Sequence, residues 1–225
     1  MRITGGTLKG RRLSCPKGQS VRPTSDRVRE ALFQTALVRF GQPEPGARVL
    51  DLFCGSGALG LEALSRGAGF ICFVDSSARS LNAAVQNAAA LGVQGQTAAV
   101  RFDLSRKKRA LEQFFTSLKG RFGPFHMVLM DPPYGKGLIE PVCRAAATCG
   151  ILAPEGVLVM ERPAKEEPVE KFHENLRQQG GDSALCLAHE RGYGQTRVLF
   201  YTACSGEGAA RSTLAGPEMS KGDRS

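Results

Sequence analysis

"ARVLDLFCGSGALGLEALSRG", residues 47 to 67, decides the fold. Its first seven residues are apolar except for Arg48 and Asp51, the pattern of a strand buried on both faces and ending near Asp51. Gly55, Gly57 and Gly60 then fall in the spacing G-x-G-x-x-G. That spacing lets a chain pass from a strand straight into a helix while a ligand lies close against the backbone. "GALGLEALSRG" follows as a short helix closed by Gly67. Strand, glycine turn and helix in this order open a βαβ unit.

The same alternation extends in both directions. Upstream, Val28, Leu32, Thr35 and Ala36 have helical spacing over residues 25–40, with Ser25 and Asp26 as N-terminal signals, and the proline-rich stretch Gly41 to Gly46 breaks the helix. Downstream, "FICFVD" is a strand ending at Asp75, and Leu81, Val85, Ala88 and Leu91 mark a helix stopped by Gly92. A strand over 97–102 leads to Asp103, "RALEQFFTSL" is helical, "HMVLMD" is a strand, "LIEPVCRAAATC" a helix interrupted early by Pro141, and "GVLVMER" a strand. "SALCLAHERGYGQTRVLFYT" reads as two strands about a glycine-containing turn. The expected architecture is α/β: a parallel sheet covered on both faces, closed by an antiparallel hairpin. Three segments are expected: a basic arm over 1–24, a domain over 25–204, and a small, polar tail over 205–225 that predicts disorder.

Composition narrows the partners. The 225 residues suit one domain, and a net charge of +9 favours an anionic partner without choosing among nucleic acid, membrane surface and acidic protein. Residues 1 to 30 hold eight Lys or Arg against Asp26 and Glu30, which points to phosphate contact by Lys9, Arg11, Arg12 and Arg22; for Arg27 and Arg29 a salt bridge is an equal reading. No apolar run approaches the roughly 18 residues that span a bilayer, and no leader core follows Met1-Arg2, so a cytoplasmic location is expected. The seven cysteines are scattered without a C-x-x-C pair, as are His126, His173 and His189. Neither set predicts a metal site, and most of the cysteines are expected as small buried apolar residues.

In open α/β sheets ligands bind beyond the carboxyl ends of the strands, and here those ends carry Asp51, Asp75, Asp131 and Asp103. A carboxylate at the mouth of the glycine turn disfavours the pyrophosphate of a dinucleotide and suits a cation. S-adenosylmethionine, with an ammonium and a sulfonium, fits better. Asp75 lies eighteen residues beyond Gly57, where an acid accepts hydrogen bonds from both ribose hydroxyls. Asp103, one strand further along, either approaches the adenine or serves only as a capping acid.

"MDPPYGKG", residues 130 to 137, explains the last acid. An exocyclic base nitrogen is a poor nucleophile because its lone pair is delocalised into the ring. If Asp131 accepts one of its N–H bonds and the Pro132 carbonyl the other, the lone pair turns toward the methyl group. Consecutive prolines, Pro132 and Pro133, fix the carbonyl direction, and Tyr134 offers a face to an extruded base. A plain strand-terminating turn is the alternative. The same clamp would serve adenine N6 in DNA or a glutamine amide in protein, and a nucleotide-binding module without chemistry is a third reading.

With "RITGGTLKGRRL", "VRPTSDRVREALF", "GSGALGLEALSRGA" and "ERGYGQTRVLFY" added, the chain resembles the RsmD family of bacterial methyltransferases over most of its first 202 residues. The resemblance implies a Rossmann-like class I S-adenosylmethionine-dependent methyltransferase, with a mostly parallel seven-stranded sheet and a C-terminal antiparallel hairpin. It further implies methylation of the N2 amino group of a guanine in small-subunit (16S) ribosomal RNA, free or within an assembling ribosomal particle, by a monomer. Asp51, Phe53, Gly55 and Gly57 would line the methionine end of the cofactor site, Asp75 would hold the ribose, Asp103 would approach the adenine, and Asp131 to Tyr134 would take the base. Thr24 and Asp26 resemble the family element that closes over the cofactor. Two departures stand out: Ser77 replaces a second acid found in some relatives, and "LSRKKRA" after Asp103 is unusually basic.

Overall fold

The computed structural model describes residues 1–15, 26–165, 172, 174 and 185–204. Apolar runs and amphipathic stretches alternate along it as α1 (Asp26–Phe40), β1 (Arg48–Leu52), α2 (Ala58–Ser65), β2 (Phe70–Asp75), α3 (Ala78–Leu91), β3 (Thr97–Arg101), α4 (Lys108–Phe122), β4 (Phe125–Met130), α5 (Ile139–Thr148), β5 (Leu152–Pro163), β6 (Leu185–Tyr193) and β7 (Thr196–Ala203). The seven strands form one sheet in the order β3-β2-β1-β4-β5-β7-β6. β1 to β5 pair in parallel, whereas β7 is antiparallel to both β5 and β6. The expected class I methyltransferase sheet, with its closing hairpin, is therefore present.

Alternate residues of each strand feed two apolar layers. Leu50, Leu52, Val74, Val128 and Met130 pack with Leu111, Phe115 and Leu118 of α4 and Val142 of α5. Val49, Ile71, Phe73, Leu129 and Val159 pack with Leu32 and Phe33 of α1, Leu61 of α2, and Leu81 and Ala84 of α3. The chain steps outward from β1 to β2 and β3, then returns to place β4 on the other side of β1. This reversal is the switch point at which such sheets open a ligand crevice.

Three local expectations change. Pro141 does not interrupt α5, because it is the third residue of the helix, where a backbone N–H has no intrahelical acceptor to lose. The buried face of α1 is Arg29, Leu32, Phe33 and Ala36, so a fully buried arginine takes the place given to Val28. Cys186 and Cys204 form a disulfide, their Cα atoms 5.4 Å apart where β6 pairs with β7; this corrects their expected place among unpaired apolar residues. Cys54, Cys72 and Cys143 are buried free thiols.

The basic N-terminal stretch is docked on the α1–α3 layer. Ile3 and Leu13 enter the core, and main-chain bonds join Ile3 to Arg11 and Leu13 to Met1. The fastening is polar: Glu62 of α2, wholly buried, accepts from the Thr4 amide (2.8 Å), the Thr4 hydroxyl (2.7 Å) and the Gly5 amide (2.8 Å). Arg66 Nε donates to the same carboxylate at 2.9 Å, and Arg29 Nε stands 3.4 Å from it. The expected tail over 205–225 lies outside the described residues.

Candidate active site at the carboxyl rim

Strand register builds the site. Leu52 of β1 lies beside Val74 of β2 and Met130 of β4, so the next residue on each strand, Phe53, Asp75 and Asp131, comes to the same rim level. Asp51 sits one residue below Leu52, inside β1 rather than at its end, and points toward α2. Gly60 N–H donates to its Oδ2 at 2.9 Å, while Oδ1 is buried without a hydrogen-bond partner among the described residues. A Cβ on Gly60 would lie 3.0 Å from that same Oδ2 and 2.8 Å from Ile71, so any other residue would push α2 away from the carboxylate.

The loop after β1 is tightly curled. Phe53, Gly55 and Gly57 all have positive φ, at 58°, 53° and 78°. For Phe53, a bulky non-glycine residue, that is a strained conformation of the kind that collects at ligand sites. A Cβ on Gly57 would meet Ala84 at 2.9 Å, whereas one on Gly55 would meet nothing within 4 Å. Gly57 thus serves close packing of the loop on α3, and Gly55 faces open space. Asp75 fixes the loop, accepting from the Gly55 amide at 3.0 Å and from the Ser77 amide at 2.8 Å. Each bond leaves its oxygen a further lone pair.

Electrostatics follows from this crowding. Burial pushes the Asp51 carboxyl up to about 7; the Gly60 amide opposes this, and the charges of Asp131 and Asp75 add to it. A buried carboxyl that feels the charges of two others is a site that gains from a cation. The buried, unpartnered Oδ1 beneath an open glycine loop therefore fits the ammonium and sulfonium of S-adenosylmethionine better than any phosphate.

The other predicted residues are distributed as follows. Pro132 is buried, Pro133 half-buried, and Tyr134 is 46% exposed at the rim. Beside it a cavity of ≈ 230 Å³ is lined by Pro133, Tyr134, Lys136, Glu140, Arg162 and Phe172. Asp103 is exposed; its Oδ1 accepts from the Ser105 amide and hydroxyl, and those bonds with the nearby Arg106 and Lys136 hold its carboxyl below the usual range. It is not the cap of α4, whose N-cap is Lys107. Ser77, in the place of the second acid, caps α3 by accepting from the Ser80 amide. Asp26 is bound to Arg29 at 2.6 Å and faces Arg2 at 3.7 Å. Thr24 and Arg22 lie outside the described residues.

Of the N-terminal cations, Arg11 donates to the Ala90 carbonyl near the end of α3, while Lys9 and Arg12 are exposed. Lys9 follows Thr7 and Leu8, which bond to Ser65 at the far end of α2, about 12 Å of helix from the glycine turn. Reading the sequence missed Asn87. Its amide donates to the carbonyls of Ser14 and Ser56 at 2.9 Å each and accepts from the Ser14 N–H at 2.8 Å, tying the N-terminal segment to the glycine loop. An asparagine within an alanine-rich helix gives no sequence signal for this role.

Comparison with known proteins agrees with the geometry. The family described as "Conserved hypothetical protein 95" matches residues 1–202. The chain is 34% identical over 161 residues to "Ribosomal RNA small subunit methyltransferase D" of Escherichia coli (strain K12), covering 72% of this chain and 74% of that protein. The chain belongs to the RsmD family. It is also 32% identical over 201 residues to "Putative rRNA methyltransferase YlbH" of Bacillus subtilis (strain 168), covering 89% of this chain and 98% of that protein. The solved structure of the Escherichia coli protein yhhF superposes with a TM-score of 0.65 at 28% identity, covering 89% of this chain and 96% of that one. The RsmD-family chain thus shares both sequence and sheet with methyltransferases along nearly its whole described length.

Proposed function

We propose that this chain transfers the methyl group of S-adenosylmethionine to the N2 amino group of a guanine in small-subunit ribosomal RNA. The observation that carries the reading is the buried Asp51 carboxylate with an unpartnered oxygen, one strand from Asp131 and the exposed Tyr134. Family membership supplies the RNA substrate: the relatives bear the name of ribosomal RNA small subunit methyltransferases.

S-adenosylmethionine, when bound, supplies an electrophilic methyl group on a positively charged sulfur. Asp51 faces its positive groups, Asp75 accepts from the ribose hydroxyls, and the open face of Gly55 admits the chain between them. Asp103 keeps one oxygen for the adenine amino group while Ser105 engages the other. The guanine must leave its stack to reach the rim, and Tyr134 gives it a face to rest on. Asp131 and the Pro132 carbonyl each accept one N2–H, which turns the nitrogen lone pair away from the ring and toward the methyl carbon. Methylation of N2 requires that it shed a proton, and Asp131 would be the acceptor in line. The enzyme acts as a monomer, on RNA that is free or already within an assembling particle.

The test is transfer of labelled methyl to small-subunit ribosomal RNA, followed by mass identification of the nucleoside. N2-methylguanine is expected, and N6-methyladenine would overturn the substrate assignment. Asp131→Ala should lower kcat at least a hundredfold, on the order expected for a positioned proton acceptor, with cofactor affinity within about threefold of wild type. Equal losses in both would place Asp131 in cofactor binding instead.

A further inference from the structure

Arg106, Lys107, Lys108 and Arg109 are all exposed and run from the rim into the first turn of α4. The first turn of α4 contains no acid, and its N-cap, Lys107, makes no side-chain capping bond. Cations at a helix N-terminus oppose the helix dipole, and lysine is a poor cap, so nothing in the folding of α4 favours this sequence. Within the cluster only Lys108 forms a salt bridge among the described residues, with Glu112 at 3.7 Å, and it is 72% exposed; Arg106 lies within electrostatic reach of Asp103. The N-terminal cations differ. Arg29 is buried against Glu62 and Asp26; Arg2 and Arg11 are exposed but engaged, with Asp26 and an α3 carbonyl; Arg27 is exposed on α1, and Lys9 lies toward the far end of α2.

Position completes the argument. β3 ends at the rim beside Asp75, so the residues that follow it stand at the carboxyl edge of the sheet. α4 packs on the opposite sheet layer from the N-terminal segment. Lys136, in the loop carrying Tyr134, lies within electrostatic reach of Asp103, as does Arg106, so the cluster and the base clamp share one edge.

Resting on the function proposed above, we infer that Arg106, Lys107, Lys108 and Arg109 form a phosphate-binding surface that grips the RNA backbone beside the extruded base. With the exposed Arg12 on the other layer, the RNA straddles the rim and presents its target at Tyr134.

The test uses the full chain with all four residues changed to alanine, and small-subunit ribosomal RNA as ligand. The plot of log affinity against log salt should flatten by about 3 to 4 units, with affinity at 0.1 M salt falling tenfold or more, on the order of one unit of slope per lost phosphate contact. Affinity for S-adenosylhomocysteine should stay unchanged. A single Lys107→Ser variant gives an independent check: it should melt at a higher temperature, through a better cap, yet bind RNA with a slope about one unit shallower. An unchanged slope in the fourfold variant overturns the inference, as does an unchanged slope accompanied by lost binding to phosphatidylglycerol vesicles, which would make the surface a membrane contact. Failure of the wild type to methylate ribosomal RNA would instead overturn the proposed function.

Discussion

Asp51 shows how one buried side chain couples ligand, proton and fold. Its carboxyl is raised to about 7, chiefly by burial. A cation beside it favours the ionised form, so binding must expel a proton wherever the ligand-free site holds one. Affinity for S-adenosylmethionine should therefore rise about tenfold per pH unit below 7 and level off above it. Calorimetry in buffers of different ionisation enthalpy should register nearly one proton released at pH 6, and Asp51→Asn should abolish both effects. The same group sets a stability trend of fixed sign. Because its folded value lies above the unfolded 3.8, its contribution is complete below about pH 4 and is lost as pH rises through about 7, by at most about 4 kcal/mol. Urea unfolding of the ligand-free protein at pH 5 and pH 8 checks this, and a trend that persists in Asp51→Asn would assign it elsewhere.

At the scale of elements, α2 is the hub. Removing the Glu62 carboxylate would leave Arg66 buried without its acid, Arg29 with Asp26 alone, and the Thr4 and Gly5 amides without their acceptor. Glu62→Ala should accordingly cost about 3 to 5 kcal/mol in urea unfolding, and a loss below about 1 kcal/mol would show that the network closes without it. None of this was legible in "GLEALSRG", where a glutamate four residues before an arginine reads as an exposed helix pair. β1, β2 and β4 were legible because they are largely buried on both faces and so appear as unbroken apolar runs, and the acids near their ends followed directly. What escaped depends on partners far along the chain. Asn87 looks like a surface residue until its partners arrive, the salt bridge read for Arg29 gave no hint of its burial against Glu62, and the Cys186–Cys204 pair needs the β6–β7 register before it can be seen. Asp103 was read two ways, and Ser105 now accounts for one of its oxygens.

Across the whole molecule the positive charge is uneven in use. Among the described cations of residues 1–30, Arg29 is buried and Arg2 and Arg11 hold partners within the fold, while the α4 cluster faces solvent at the rim. Methylation of ribosomal RNA at subsaturating substrate should fall on the order of a hundredfold between 50 and 200 mM salt, whereas cofactor affinity, governed by buried groups, should change less than about twofold. Parallel losses would mean that the RNA is held by contacts other than phosphates. The Glu62 hub also has a consequence in time. Residues 4 and 5 leave the ribosome 58 and 57 residues ahead of the carboxylate that fastens them. At the usual pace of synthesis that is a wait of roughly 3 to 12 s. Until then the carboxylate that holds Thr4 and Gly5 is missing, so this segment can be fastened only after α2 has been made.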